Sequence, residues 1–345
     1  MRLDWTTMWA WGRELLEASG MSGPAASAVM DSLEYAERRG FASHGYMRLP
    51  IYASRVAAGG INGAATVRVV SDQPALTIVD ADAAAGAYSA NACVQLAVRK
   101  AHESGAAVVL ARNANHFGAA GFFTNAMATA GVFGIVACNT DPWMCAPFGG
   151  RPVLGTNPIS MAAPLVDKLG PQLDMATTEG NYGKIAAARD RGEPIPAGWA
   201  VDIEGNPTTD AARGLAGALL PTGGPRGFGL AVMVDCLLAI GGARTSDIAG
   251  PLYGDPSAPQ ELGHVFIAIR VDQGQTAAEY AARVTALTES VHASGIPGSA
   301  RPPMVPGEPE RARLAASSAW EADATTLAAL AELSLELGVA APTGA

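Results

Sequence analysis

The chain has 345 residues, 49% of them hydrophobic and 16% charged, enough for two or three units at roughly 100 to 200 residues per domain. Its 32 acidic residues outnumber 23 basic ones for a formal charge of −9, and the Lys and Arg residues form no block, which argues against a nucleic-acid partner. Met1 to Trp11 contains Arg2 as its one base and an interrupting Asp4, with no apolar core, and the most apolar stretch, Phe228 to Ala243, is broken by Asp235. The expectation is a soluble, cytoplasmic protein with no membrane partner.

In chain order, Asp4 precedes an amphipathic run to about Ser19, and Ser22 with Pro24 opens a second run to about Arg39, both predicted helical. Phe41 to Gly45 form a polar corner, after which Leu49, Tyr52 and Val56 recur at helical spacing until Gly59 and Gly60, a glycine stop. From Thr66 the pattern turns to strands at 67–71 and 76–79, a helix near 90–104, and strands at 106–110 and 132–138. The stretch 139–178 is dense in Pro, Gly, Asn and Thr, yet keeps apolar pieces such as 159–163. Long irregular segments of this kind are usually functional.

A short helix is expected at 183–191, a glycine and proline loop at 221–229, a helix at 230–240, a strand at 264–270, and helices at 276–292 and 323–337. The fold class read from this pattern is α+β, a mixed body whose two helical ends pack together on one side. Residues 1–65 with 310–345 form the expected helical domain, and 66–309 the α/β body. Cys93, Cys138, Cys145 and Cys236 lie far apart or in apolar segments, with no Cys-x-x-Cys. They read as reduced core thiols, and no metal site is expected.

Several catalytic signatures are missing. There is no Gly-x-Gly-x-x-Gly after a strand, no P-loop around Gly183 and Lys184, no Gly-x-Ser-x-Gly and no His-Glu-x-x-His. Three clusters nevertheless join chemically useful side chains to glycine. In Ser43-His44-Gly45-Tyr46-Met47-Arg48 the imidazole and guanidinium stand four apart, and a helix starting near Gly45 would aim both at one cavity. Arginine grips a carboxylate through paired charge-assisted hydrogen bonds, and a nearby histidine exchanges a proton with the adjacent oxygen. The plainer reading is a helix start capped by Ser43.

The second cluster, Asn113 to Gly121, presents His116 at a turn after the apolar run 106–110. Histidine exchanges a proton near neutral pH, although a histidine bonded to a neighbouring carbonyl is the plainer reading. The third, Leu173-Asp174-Met175-Ala176-Thr177-Thr178, continues to Tyr182-Gly183-Lys184. Its aspartate suits a ribose hydroxyl or a helix cap, and spacing alone does not choose.

Ser43-His44-Gly45 with Arg48, Asn115-His116-Phe117-Gly118, Leu154-Gly155-Thr156-Asn157-Pro158, Asp174 to Thr177, Gly183-Lys184, Gly223-Gly224-Pro225-Arg226-Gly227 and Pro306-Gly307-Glu308 occur in that order. Together they resemble the type 2 malate/L-lactate dehydrogenase family, which includes ureidoglycolate and sulfolactate dehydrogenases, diketogulonate reductase and cyclic imino acid reductases.

The resemblance implies an NAD(P)-dependent oxidoreductase with a non-Rossmann mixed-sheet domain, acting as a homodimer on a small carboxylate. It implies His44 as proton donor supported by Ser43, with Arg48 and Thr156 on the substrate carboxylate and Tyr182 and Gly183 beside it. His116 heads a cofactor-contacting run with Phe117, Gly118, Ala119 and Ala120, and competes with His44 for the proton. Thr140, Asp174, Met175, Ala176, Pro225, Arg226, Pro306, Gly307 and Glu308 would line NAD or NADP.

Two departures matter. Arg226 replaces a frequent lysine, which leaves the choice of cofactor open. Lys184 stands where the imino acid reductases carry an acid, and so tilts the reading toward hydroxy acid and oxo acid chemistry. Trp143, in the loop after Thr140, either narrows the substrate pocket or packs on the body. Reduction of a cyclic imino acid, or dinucleotide binding without catalysis, are the alternative functions.

Overall fold

The structure is a computed structural model that describes residues 2–165 and 168–342. Residues 1, 166–167 and 343–345 of the expected domain ranges lie outside the described residues. The centre is a seven-stranded mixed sheet whose strands, in spatial order, are Arg68–Asp72, Leu76–Asp80, Ala106–Ala114, Leu262–Arg270, Val132–Cys138, Ile159–Leu165 and Lys168–Met175. Leu76–Asp80 runs parallel to Ala106–Ala114, and the other neighbours run antiparallel.

Side chains alternate across a strand, and here both faces are covered. Val109, Ala111, Val136 and Phe266 join an apolar cluster with Ala97, Phe123 and Met127 of the helices Gly86–Ser104 and Ala120–Thr129. Leu110, Ala137 and Val265 point the other way, onto Val234 and Leu238 of the helix Pro225–Ala239. Double coverage explains why Leu262–Arg270 reads as a nearly continuous apolar run.

The N-terminal helices follow their caps. Asp4 accepts from Thr7 N–H at 2.9 Å and starts Trp5–Ala18; Gly23–Arg38 follows, and Leu49–Ala58 ends at Gly59. At the other end Asp323 accepts from Thr326 N–H at 2.9 Å and starts Ala324–Leu337. The two ends meet: Arg2–Leu3 pairs antiparallel with Trp320–Glu321, and the Trp320 ring stands edge-on to Tyr46 at 5.5 Å.

Three expectations need correction. The stretch 139–178 is more regular than expected: it holds Met144–Cys145 and Pro152–Leu154 of a second, five-stranded sheet, and the antiparallel pair Ile159–Leu165 and Lys168–Met175 at one edge of the main sheet. The expected loop at 221–229 already belongs to a helix from Pro225 onward, because proline fits the first helical turn, where its missing N–H has no partner to lose. Cys93, Cys138 and Cys145 are buried free thiols, but Cys236 is exposed.

Candidate active site

Arg48 and His44 sit on two consecutive 3₁₀ turns, Ala42–His44 and Tyr46–Arg48, rather than on a single helix. These turns still place both side chains in one cleft of ≈ 560 Å³, its open mouth included. Glu37 fixes the corner by accepting from Tyr46 N–H at 2.8 Å, and burial pushes its carboxyl up to about 7. Arg48 is buried; its Nε donates to Ser43 O at 2.7 Å, and its Nη1 to the Tyr253 hydroxyl.

His116 reaches the same cleft from the end of Ala106–Ala114. Its ring stacks on that of His44, centroids 5.7 Å apart and planes 22° from parallel. Burial, with Arg48 next, lowers the His44 imidazole to about 3. Burial, then Arg48, His44 and His264, holds His116 well below its usual value. Both rings are therefore neutral near pH 7.

The two rings are held differently. His44 Nδ1 lies 3.0 Å from Ser43 Oγ, where either group serves as donor. His116 Nδ1 lies 2.6 Å from the Tyr52 hydroxyl and accepts from Gly118 N–H at 3.3 Å. A backbone N–H cannot accept, so Nδ1 is the bare nitrogen and neutral His116 carries its proton on Nε2. The backbone N–H of His116 donates to Gln260 Oε1 at 3.0 Å.

Thr140 and Thr156 line the opposite wall, with Thr156 N–H donating to Thr140 Oγ1 at 3.0 Å. A buried network holds them. Asp235 accepts from Asn139 at 3.0 Å, Asn157 at 3.1 Å and Ser246 N–H at 3.1 Å, and Asn157 Oδ1 accepts from Thr140 N–H at 3.3 Å. Tyr182 and Gly183 close the mouth. A side chain at Gly183 would come within 2.8 Å of Ser43 Cβ, so glycine allows this approach.

Three of the remaining expected residues, Asp174, Pro306 and Gly307, gather in a second place. An open pocket of ≈ 860 Å³ is lined by Tyr35, Gln172, Asp174, Pro306, Gly307 and Glu310, among others. Burial raises the Asp174 carboxyl to about 7; its Oδ2 accepts from Gly121 N–H at 2.8 Å. The run from His116 to Gly121 thus joins cleft to pocket, with Phe117, Ala119 and Ala120 buried along it. Gly118 has φ +87°, and a Cβ there would lie 2.7 Å from Ser32 Oγ.

Met175 and Ala176 lead from this pocket to Thr177, whose carbonyl accepts from Thr222 N–H at 2.9 Å; Pro225 and Arg226 follow as exposed residues. Glu308 turns away, accepting from Val305 N–H at 2.9 Å and lying 3.0 Å from His292 Nε2. Lys184 is exposed and does not line the cleft.

Sequence reasoning missed Tyr253, Gln260 and Asn181 in the cleft wall, and it read Tyr52 as a helix-face residue alone. Tyr52 stands four residues after Arg48, one helical turn, and that spacing was the available signal. No sequence signal links Tyr253 to Arg48, 205 positions away. Among the described residues, no group of three or more His, Cys, Asp or Glu is placed to hold a metal ion, and no helix is long and apolar enough to cross a membrane.

Residues 3–330 match the family described as malate/L-lactate dehydrogenase. L-sulfolactate dehydrogenase of Methanocaldococcus jannaschii is 36% identical over 94% of each chain. The solved sulfolactate dehydrogenase from that organism superimposes with a TM-score of 0.91 over 98% of each chain, at 33% identity. Ureidoglycolate dehydrogenase (NAD(+)) of Escherichia coli K12 is 39% identical, covering 73% of this chain and 72% of its own. The solved Δ1-piperideine-2-carboxylate reductase of Pseudomonas syringae pvar. tomato aligns with a TM-score of 0.87 at 27% identity, over 96% of this chain and 99% of its own. On sequence and on fold alike, the chain belongs to the malate/L-lactate dehydrogenase family.

Proposed function

We propose that this enzyme is an NAD(P)-dependent dehydrogenase that interconverts a small 2-hydroxy carboxylic acid and its 2-oxo acid. The observation that carries the reading is the cleft in which a buried, doubly held Arg48 faces two stacked neutral imidazoles. A fixed guanidinium suits a carboxylate, and the histidines lie beside the atom that must gain or lose a proton.

The pocket around Asp174 fits the far end of a dinucleotide. Its carboxyl can accept from ribose hydroxyls, Pro306 and Val305 offer apolar faces to a flat base, and Gly307 brings backbone close. The His116 to Gly121 run connects that pocket to the cleft. A nicotinamide cofactor held by these residues would supply the hydride chemistry at C2 of the acid, in either direction.

The proton falls to His44. Neutral His116 has its proton on Nε2, with Nδ1 filled by Tyr52 and Gly118, so it serves as a hydrogen-bond donor; losing that proton would leave an imidazolate. His44 can turn Nδ1–H toward Ser43 Oγ and keep Nε2 free to accept the substrate hydroxyl proton. In the reverse direction His44 must first be protonated. Burial opposes this first and the Arg48 charge second, and a carboxylate bound on Arg48 offsets the second.

His44 has Ser43 as its Nδ1 partner and no carboxylate behind it, which favours oxo acid over imino acid chemistry. The test is a side-by-side assay of 2-oxo acids, 2-hydroxy acids and cyclic imino acids with NAD(H) and NADP(H). Oxo acid reduction lost in His44→Asn and Arg48→Leu supports the reading. Cofactor binding without turnover of any substrate, seen as a thermal shift, defeats it.

A further inference from the structure

The side-chain end of the cleft differs from its carboxylate end. Trp143, Tyr182 and Tyr253 form a continuous aromatic wall, with centroids 4.5 Å apart for the first pair and 5.1 Å for the second. The Arg48 guanidinium carbon lies 5.4 Å from the Tyr253 ring, so the wall begins where the carboxylate clamp ends. Leu252 continues the apolar surface.

The charges in this cleft are few. Arg48 is the one Lys or Arg among the described lining residues. Arg55 lies close behind and is fully buried, but its guanidinium is turned to the carbonyls of Pro251, Leu252, Asp255 and Ala258. It thereby fixes the loop that carries Tyr253. The one acidic group among the described lining residues is Asp141, with its carboxyl raised to about 6 by burial. A second anionic group on the substrate would meet aromatic rings and a carboxyl, with no cation beyond Arg48 among the described lining residues to pair it, and an unpaired buried anion is strongly disfavoured.

Accepting the 2-oxo acid reading above, we infer that this enzyme selects acids with a single carboxylate and an uncharged side chain that packs on the Trp143–Tyr182–Tyr253 wall. Its preferred substrates then differ in charge from the malate and sulfolactate named for some relatives and share the single carboxylate of the ureidoglycolate named for another. Trp143 and Tyr253 set this specificity, the first as a packing surface and the second as the join between wall and clamp.

The test is steady-state reduction by the full-length enzyme of pyruvate, 4-methyl-2-oxopentanoate and phenylpyruvate against oxaloacetate and sulfopyruvate. The expected result is a kcat/KM for the best of the first three at least about 100-fold above either dianion, the scale of an unpaired buried charge. In Trp143→Ala, phenylpyruvate should lose about 10-fold or more in kcat/KM while pyruvate changes less than about 3-fold. Equal or better turnover of oxaloacetate or sulfopyruvate overturns the inference but leaves the dehydrogenase reading intact. An unchanged phenylpyruvate-to-pyruvate ratio in the variant overturns the role of the wall. No turnover of any oxo acid defeats the underlying reading, and this inference with it.

Discussion

The Tyr52 hydroxyl lies 2.6 Å from His116 Nδ1, on the same nitrogen that accepts from Gly118 N–H. Two donors on one nitrogen fix the tautomer. Nitrogen NMR of the imidazoles should therefore find His116 with a bare Nδ1 and a protonated Nε2 near neutral pH. In Tyr52→Phe one donor is gone and Nδ1 remains buried, so kcat should fall about 10-fold with the Tm changed little. A protonated Nδ1 in the wild-type protein would remove the basis for giving the proton to His44.

Replacing His44 by Asn should lower kcat by about 10² to 10⁴-fold, the usual scale of positioned acid-base catalysis. His44 titrates near 3 because of burial first and Arg48 second. In the oxidation direction it is already a base at every ordinary assay pH, so kcat/KM should show no break from this group near the usual histidine value of about 6.5. A break there that vanished in His44→Asn would contradict the assignment.

Binding of an unreactive carboxylate should carry a proton with it. The anion offsets Arg48, the second cause after burial, so His44 rises from its depressed value, and the complex takes up a fraction of a proton that grows toward acid pH. Calorimetry of oxamate binding to the cofactor complex in two buffers of different ionisation enthalpy measures this uptake. It should disappear in His44→Asn. Arg48→Leu should raise the substrate KM at least about 100-fold, the loss expected for a bidentate charged pair.

Glu37 makes stability depend on pH in a direction opposite to that of the histidines. Its folded carboxyl titrates near 7, above the ordinary 4.5, so between these values the native state holds the extra proton and stability falls as pH rises. His44 and His264, lowered to about 3, bind fewer protons folded than unfolded, and cost stability as pH drops below the ordinary 6.5. In Glu37→Gln the thermal midpoint should exceed that of wild type at about pH 8 and match it at about pH 5. A variant less stable at both values would show that the carboxylate itself is needed.

Asp235 is expected to be a stability residue with a catalytic echo. Its oxygens receive Asn139, Asn157 and Ser246 N–H in a buried network. Asp235→Ala leaves those donors unmet and should cost about 3 kcal/mol, read by chemical denaturation. Because Asn157 also holds Thr140 N–H, KM should rise more than kcat falls.

Much of the framework was legible because it rests on local signals. Asp4 and Asp323 cap the helices they precede, and the strand at 132–138 has the bounds its apolar run suggested. The small sheet escaped, since Met144–Cys145 and Pro152–Leu154 are too short to show a period, and Met144–Cys145 joins the sheet through Leu219, more than 60 residues away. At the site, the motifs named His44, Arg48, His116 and Thr156, which share one cleft, while Thr140, expected to line the cofactor, joins them there. Tyr253 and Gln260 come from a loop that Arg55 pins by backbone carbonyls, and carbonyls leave no trace in a sequence.

The pairing of Arg2–Leu3 with Trp320–Glu321 has a meaning in time. Trp320 rests against Tyr46, inside the turn that separates His44 from Arg48. A ribosome releasing this chain makes the His44–Arg48 corner early and its backing late, after every strand of the seven-stranded sheet. The nascent chain therefore carries His44 and Arg48 well before Trp320 can pack on the turn between them, and that backing arrives only with the pairing of its own ends.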